Sequence, residues 1–368
     1  MQSIQGKIAV AVSLMGILWF SGLQIGNAQS GSEPGTVTQT GYDVKKPIIG
    51  GACPTCPWGA MSEVVKTVMQ PYGWDIQICY YCAGGPRATR MVAGAMLATP
   101  PEDPVHDNMP TPEGPVDFGV TSATQLRSAY LGENDFASDP QGPRHHLRVV
   151  ANIQAPAYYI VAVKASLGIT DLSEIAEKRI PVSVMASTVG QRQFTPAVLE
   201  YYGISKEQVL SFGGIFAEHY SRSVDFDVLL GFGSLVNAPE FEHWYHATQK
   251  YDLKHLELAP DLREQLLKQF YVEVQDLPLG YFRGVDKPVP TLAQNGIVIY
   301  GRTDMPDDFA YTLARAIDER QDLLAWRHMN WSYNWRTVWD VPNVPLHPGA
   351  ERYYKEKGYM EGTGVKVE

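Results

Sequence analysis

Apolar and polar positions alternate between two spacings along this chain, and the alternation predicts its elements. Strand-length apolar runs at Ile48–Gly51, Trp74–Ile78, Asp117–Val120 and Leu147–Ile153 enclose three stretches with apolar residues at helical spacing. These predict helices over Met61–Met69, over Arg87–Leu97 behind Pro86, and from a Thr121-Ser122 cap to Leu131. The pattern continues with strands at Tyr158–Lys164, Ile180–Val184, Val228–Phe232, Leu256–Leu258 and Ile297–Tyr300. Helices are expected at Leu172–Lys178, from Ser187–Gln191 to near Tyr202, and at Glu240–Gln249, Asp261–Phe270 and Asp307–Glu319. In the last of these, Phe309, Leu313 and Ile317 share one face, and Trp331, Trp335 and Trp339 predict a further helical stripe. Strands alternating with helices are the signature of parallel sheets covered by helices. The proline-dense stretch 98–116 reads as an irregular surface loop.

Composition narrows the class. The 368 residues are 45% hydrophobic and 19% charged, which is ordinary globular usage and excludes collagen-like and coiled-coil chains. That length predicts about two domains. A net charge of −10 gives no electrostatic footprint for nucleic acid. One segment approaches membrane-spanning length: Lys7 precedes an apolar run from Ile8 to Ile25, and Gly26-Asn27-Ala28 follows with small residues. It reads as a signal peptide over 1–28, with an uncleaved anchor helix as the alternative, and residues 29–44 as a flexible mature terminus. Export to the periplasm is the expectation.

Export bears on the cysteines. All four lie in two pairs, Cys53-Pro-Thr-Cys56 and Cys79-Tyr-Tyr-Cys82. An oxidising compartment favours disulfides; a four-thiolate metal site through Cys53, Cys56, Cys79 and Cys82 and thiol–disulfide redox chemistry are the alternatives. Both pairs fall in strand-to-helix loops. In open α/β sheets such loops collect ligands, because helix starts carry unpaired N–H groups and partial positive charge. The candidate starts are the loop with Thr55 and Trp58, the loop with Gly84 and Gly85, Thr121 with Ser122 and Gln125, and the second-half segment with Thr188 and Gln191. Arg87, Arg90 and Arg192 are candidates to clamp a carboxylate, and Tyr80, Tyr81, Tyr158, Tyr159 and Phe232 to supply apolar walls. No nucleophile elbow, zincin motif, phosphate loop or dinucleotide fingerprint occurs, and no cofactor is expected.

The C-terminal run from Val344 to Gly358, VPLHPGAERYYKEKG, resembles the ending of the TAXI family, exported receptors of TRAP transporters related to the NMT1-like binding proteins. Leu147–Ala151, Gly168–Leu172, Lys178–Val182 and Tyr281–Gly284 resemble further segments of that family in order. The loops carrying the cysteines depart from its usual Gly/Thr-rich pattern. The resemblance implies an α/β, two-lobed periplasmic-binding-protein clamshell of class II type, with a mainly parallel sheet in each lobe. Lobe I is expected over 45–152 and 271–358, lobe II over 153–270, and a C-terminal tail over 359–368. The implied role is a non-enzymatic, monomeric receptor that captures a small anionic or zwitterionic solute, of carboxylate type, and delivers it to TRAP permease subunits.

Overall fold

The computed structural model describes residues 40–80, 82, 85–99, 111–188, 191, 193–329 and 332–360. The expectations for the signal segment, for Tyr81, Gly84, Arg192 and Trp331, and for most of the proline-dense stretch lie outside the described residues. Among the described residues no helix is long and apolar enough to cross a membrane.

Two sheets organise these residues. The first contains β1 (Ile48–Gly50), β2 (Gln77–Ile78), β3 (Val116–Thr121), β4 (Leu147–Ile153) and, from much later in the chain, β12 (Ile297–Arg302), in the order β2-β1-β3-β12-β4. The second contains β5 (Ala157–Lys164), β6 (Ser183–Ala186), β7 (Ile215–Ala217), β8 (Val228–Gly233), β10 (Glu273–Leu277) and β11 (Val289–Gln294), with β9 (Leu253–His255) pairing β5. The strands β1, β3, β8 and β12 are buried along their whole length, as continuous apolar runs covered on both faces require.

Pairing refines the expectation of mainly parallel sheets, for each also contains antiparallel strands. The strand β1 runs parallel to β2 and β3, but β12 is antiparallel to β3 and β4. Likewise β8 and β6 are parallel, whereas β5 is antiparallel to β8, β9 and β11. The reason lies in two short crossovers. Residues 154–156 lead from the end of β4 directly into β5, and 295–296 lead from β11 into β12. A strand that enters a sheet at the crossover edge must run away from it, against its neighbours. The same topology moves β10 and β11 into the second sheet, although they lie within the stretch expected to belong to lobe I. These strands, β7 and the short helix α6 (Lys206–Ser211) lacked a clear periodic signal.

Helices cover the first sheet. On one side α9 (Asp307–Glu319) buries Phe309, Leu313 and Ile317 as its spacing predicts, against α1 (Pro57–Met69) and α11 (Pro348–Glu356). Tyr42, Trp74 and Phe118 meet the Phe309 ring edge-on at centroid distances of 4.9, 4.8 and 5.4 Å. Residues 40–44, expected to be part of a flexible terminus, are thus partly docked, and the Tyr42 hydroxyl donates to the Asp117 carbonyl at 3.3 Å. The C-terminal motif has a structural job. His347 caps α11 by accepting from the Gly349 N–H, and the Tyr354 hydroxyl donates to the Val150 carbonyl on β4. Gly349 is required there, because a Cβ would lie 2.0 Å from the Asp307 carbonyl oxygen. Nearby, the buried Asp318 carboxylate accepts from the hydroxyls of Tyr333 (2.7 Å), Tyr353 (2.5 Å) and Tyr359 (2.9 Å). Tyr359, expected in the tail, is thereby held in place.

The tryptophan stripe does not form a helix over its described residues; 332–340 is a run of turns. The exposed edge of β4 claims this backbone instead: Asn152 N–H donates to the Val338 carbonyl at 2.6 Å and Gln154 N–H to that of Ser332 at 2.9 Å. Covering the edge in this way satisfies β4 donors that a helix would leave unpaired.

Candidate functional site

The registers fix which strand ends lie at the crossovers. Thr121 at the end of β3 pairs with Val298 at the start of β12, and Gly233 at the end of β8 pairs with Tyr158 at the start of β5. The carboxyl ends of strands from both sheets therefore lie at the crossover edge, together with the helix starts that follow them. The lobes touch there. Glu240 N–H donates to the Thr55 carbonyl at 3.1 Å, Asn237 N–H to the Arg327 carbonyl at 2.9 Å, and the Tyr271 hydroxyl to Asp135 Oδ2 at 3.0 Å.

The helix starts differ in how far they are already satisfied. Ser122 caps α3 (Ala123–Leu131) by accepting from the Gln125 N–H at 3.3 Å, and Gln125 donates its amide to Thr89 at 2.7 Å. This pair ties α3 to α2 (Gly85–Ala93), whose first residue is Gly85. Among the described residues the start of α1, behind Cys56, has no side-chain cap, and neither has α5 (Phe194–Tyr201) behind Gln193. Thr121 is buried, and its hydroxyl has no partner among the described residues. Uncapped helix N-termini and an unpaired hydroxyl are acceptor-seeking groups, suited to a carboxylate without any basic side chain.

Each cysteine pair is joined as a disulfide within its own loop, Cys53 to Cys56 and Cys79 to Cys82. The loops are neighbours because β1 and β2 pair in parallel: Cys79 N–H donates to the Ile49 carbonyl, and Gly51 N–H to that of Cys82. Gly59 lets the first loop fold onto α1; a Cβ there would lie 2.0 Å from the Cys53 carbonyl oxygen. Among the described residues no group of three or more His, Cys, Asp or Glu side chains is placed to hold a metal ion.

Several expected site residues are occupied elsewhere. Thr55 is exposed at the lobe contact, and Trp58 packs half-buried in the first turn of α1. The Tyr80 hydroxyl donates to Glu63 on α1, and burial followed by that carboxylate pushes its pKa far up. Arg87 donates to the Thr99 carbonyl at 3.1 Å, and Arg90 pairs with Asp139 at 2.7 Å. Tyr159 and Phe232 are buried in an aromatic cluster with Phe194, with ring centroids 4.7 to 5.3 Å apart, which makes them core side chains of the second lobe. Thr188 lines a cavity between α5 and α6. The Gln191 amide brackets the backbone of Tyr271, accepting from its N–H at 3.0 Å and donating to its carbonyl at 3.2 Å. Tyr158 stands at the crossover edge, with its ring against Tyr281 at 5.0 Å.

One residue carried no signal beyond its place at a helix start. Glu240 precedes α7 (Glu242–Lys250), and burial at the lobe contact pushes its carboxyl up to about 8. His243, beside it, is pushed down to about 4, again chiefly by burial.

The model of the NMT1-like family matches residues 106–358. The chain belongs to the NMT1-like family. In this NMT1-like chain the match runs from before β3 to the end of α11 and takes in both crossovers and the whole second sheet; the disulfide loops lie outside it. Solved structures with similarity to it include MatC of Rhodopseudomonas palustris with bound malate: 12% identity over 84% of this chain and 95% of that one, TM-score 0.40. ProX of Borrelia burgdorferi, a glycine betaine/L-proline-binding protein, is 13% identical over 77% and 99%, TM-score 0.36. A TctC solute-binding protein from Polaromonas is 11% identical over 77% and 88%, TM-score 0.34. Likeness at this level locates no residue and no ligand in the NMT1-like chain.

Proposed function

We propose that this chain is an exported, monomeric receptor that captures a small organic carboxylate, anionic or zwitterionic, between its two lobes and delivers it to a TRAP-type permease. One observation carries the reading. The uncapped starts of α1 and α5, one from each lobe, follow β1 and β6, whose carboxyl ends point to the crossover edge as does that of β3, which carries the Thr121 hydroxyl. Two helix dipoles from opposite lobes give an anion more contacts in the closed form than in the open one, and differential affinity of that kind is all that capture requires. No bond need be made or broken. The TAXI-like C-terminal motif supports the TRAP partner, and the apolar run from Ile8 to Ile25 supports export to the periplasm.

The test is thermal shift against a panel of small carboxylates and their amides. A true solute at about 100 times its dissociation constant stabilises the chain by about 2.7 kcal/mol, on the order of 4 °C here. Thr121→Val, which removes the unpaired hydroxyl at nearly constant shape, is expected to weaken that solute without lowering the unliganded melting temperature. If no carboxylate stabilises the chain, or if the amides do so equally well, the reading fails.

A further inference from the structure

A cavity of about 650 Å³ lies at the hinge itself, lined by Gln154 of the first crossover, Asn295 of the second, Tyr158 at the start of β5, and Gln275 on β10. It opens beside Tyr281, whose hydroxyl accepts from the Leu235 N–H at 3.0 Å, so that group is already engaged. Three other polar groups are not. The Tyr158 side chain is only 6% exposed, and its hydroxyl makes no hydrogen bond to a described residue. Burial pushes that hydroxyl up to about 12, so it remains a donor throughout the working range. The half-buried side-chain amides of Gln154 and Gln275 likewise make no hydrogen bond to a described residue. Groups held on a cavity wall and bonded only to water can exchange that water for a complementary ligand.

The chemistry of the lining selects the ligand. Among the described residues no Lys, Arg or His lines the cavity, and an acidic group borders it: Glu273 accepts from the Asn295 amide at 3.0 Å. A carboxylate placed here would lose its water and gain no cation, whereas an uncharged amide would meet donors and acceptors of matching number. The rest of the lining is apolar, from Pro156, Pro278 and Leu279 together with the two tyrosine rings. We infer that the hinge cavity is a second binding site, separate from the anion-seeking helix starts, for an uncharged molecule that presents a carboxamide or hydroxyl on a flat apolar body. Because Gln154 and Asn295 belong to the two crossovers, an occupant contacts the segments whose backbone must rotate when the lobes open. Occupancy then biases closure, and by linkage capture of the main solute changes the affinity of this site by the same factor.

Benzamide and benzoate, matched in shape and differing in charge, test the assignment on the purified chain by titration calorimetry and ligand-observed NMR. Saturable benzamide binding is expected, with benzoate at least about tenfold weaker. Tyr158→Phe and Gln275→Leu each remove one hydrogen-bonding group, and together they are expected to weaken benzamide at least about tenfold at an unchanged melting temperature. No saturation by about 10 mM benzamide would overturn the site, as would equal binding of benzoate or indifference to the paired substitutions. Thr121→Val separates the two readings: it is expected to alter carboxylate binding and leave benzamide affinity in the solute-free chain unchanged. Loss of benzamide binding in that variant would merge the hinge cavity with the main site and refute a second one.

Discussion

Glu240→Gln tests the energetics of the lobe contact directly. The Glu240 N–H is tied to the Thr55 carbonyl, and burial is the cause that lifts its carboxyl from the ordinary 4.5 to about 8. The folded chain therefore holds a proton there that the unfolded chain releases. Between the two values the folded state binds more protons, so stability falls as pH rises through that window and levels off above it. From pH 5 to pH 8 the full shift would cost roughly 3.5 kcal/mol. Glu240 is half-buried and water reaches part of it, so about 2 kcal/mol is the expected cost. Glutamine keeps the shape and carries no charge. Its variant should match the parent at pH 5 and exceed it by about 2 kcal/mol at pH 8, roughly 3 °C in melting temperature. His243, neutral above about 4, contributes nothing in this window, and titrations common to both proteins cancel in the difference. Calorimetric scans of the pair at the two pH values measure the gap. An equal gap at both, or a less stable variant at pH 8, would refute the reasoning.

Asp318→Ala strips the shared acceptor from Tyr333, Tyr353 and Tyr359 and is expected to cost about 3 kcal/mol, read as a lower urea midpoint, with α11 the first element to lose amide protection. Gly59→Ala drives a Cβ into the Cys53 carbonyl, so a loss of about 2 kcal/mol or more is expected, whereas Gly73→Ala, where a Cβ meets nothing but φ is +81°, should cost about 1 kcal/mol. The intact denatured mass of the exported chain should fall four hydrogens below the reduced value; reducing the two short loops should lower stability by about 2 kcal/mol each at most. A mass equal to the fully reduced chain, with bound metal under native conditions, would reinstate the thiolate site.

Local signals sufficed wherever one element's own side chains decide its structure. The helix Asp307–Glu319 is bounded as its apolar spacing indicates, Ser122 caps α3, and Leu147–Ile153 is a strand from end to end. Proximity of the two cysteine loops was also legible, since sequential parallel strands set adjacent loops side by side. The motif near the C-terminus pointed to the family through residues that latch a helix onto β4, and these say nothing of the ligand. What the chain could not show locally was decided by partners distant in sequence. The strands β10 and β11 alternate weakly and exist because β5 offers β11 an antiparallel edge and β11 offers one to β10. The tryptophan stripe lost its helix to the donors of β4. Tyr159 and Phe232 read as ligand walls from composition alone, but the register of β5 against β8 turns them into the core. The hinge cavity depends on Gln154, Gln275 and Asn295. They are far apart along the chain, and only the double crossover brings them together, so no spacing in the sequence encodes their meeting.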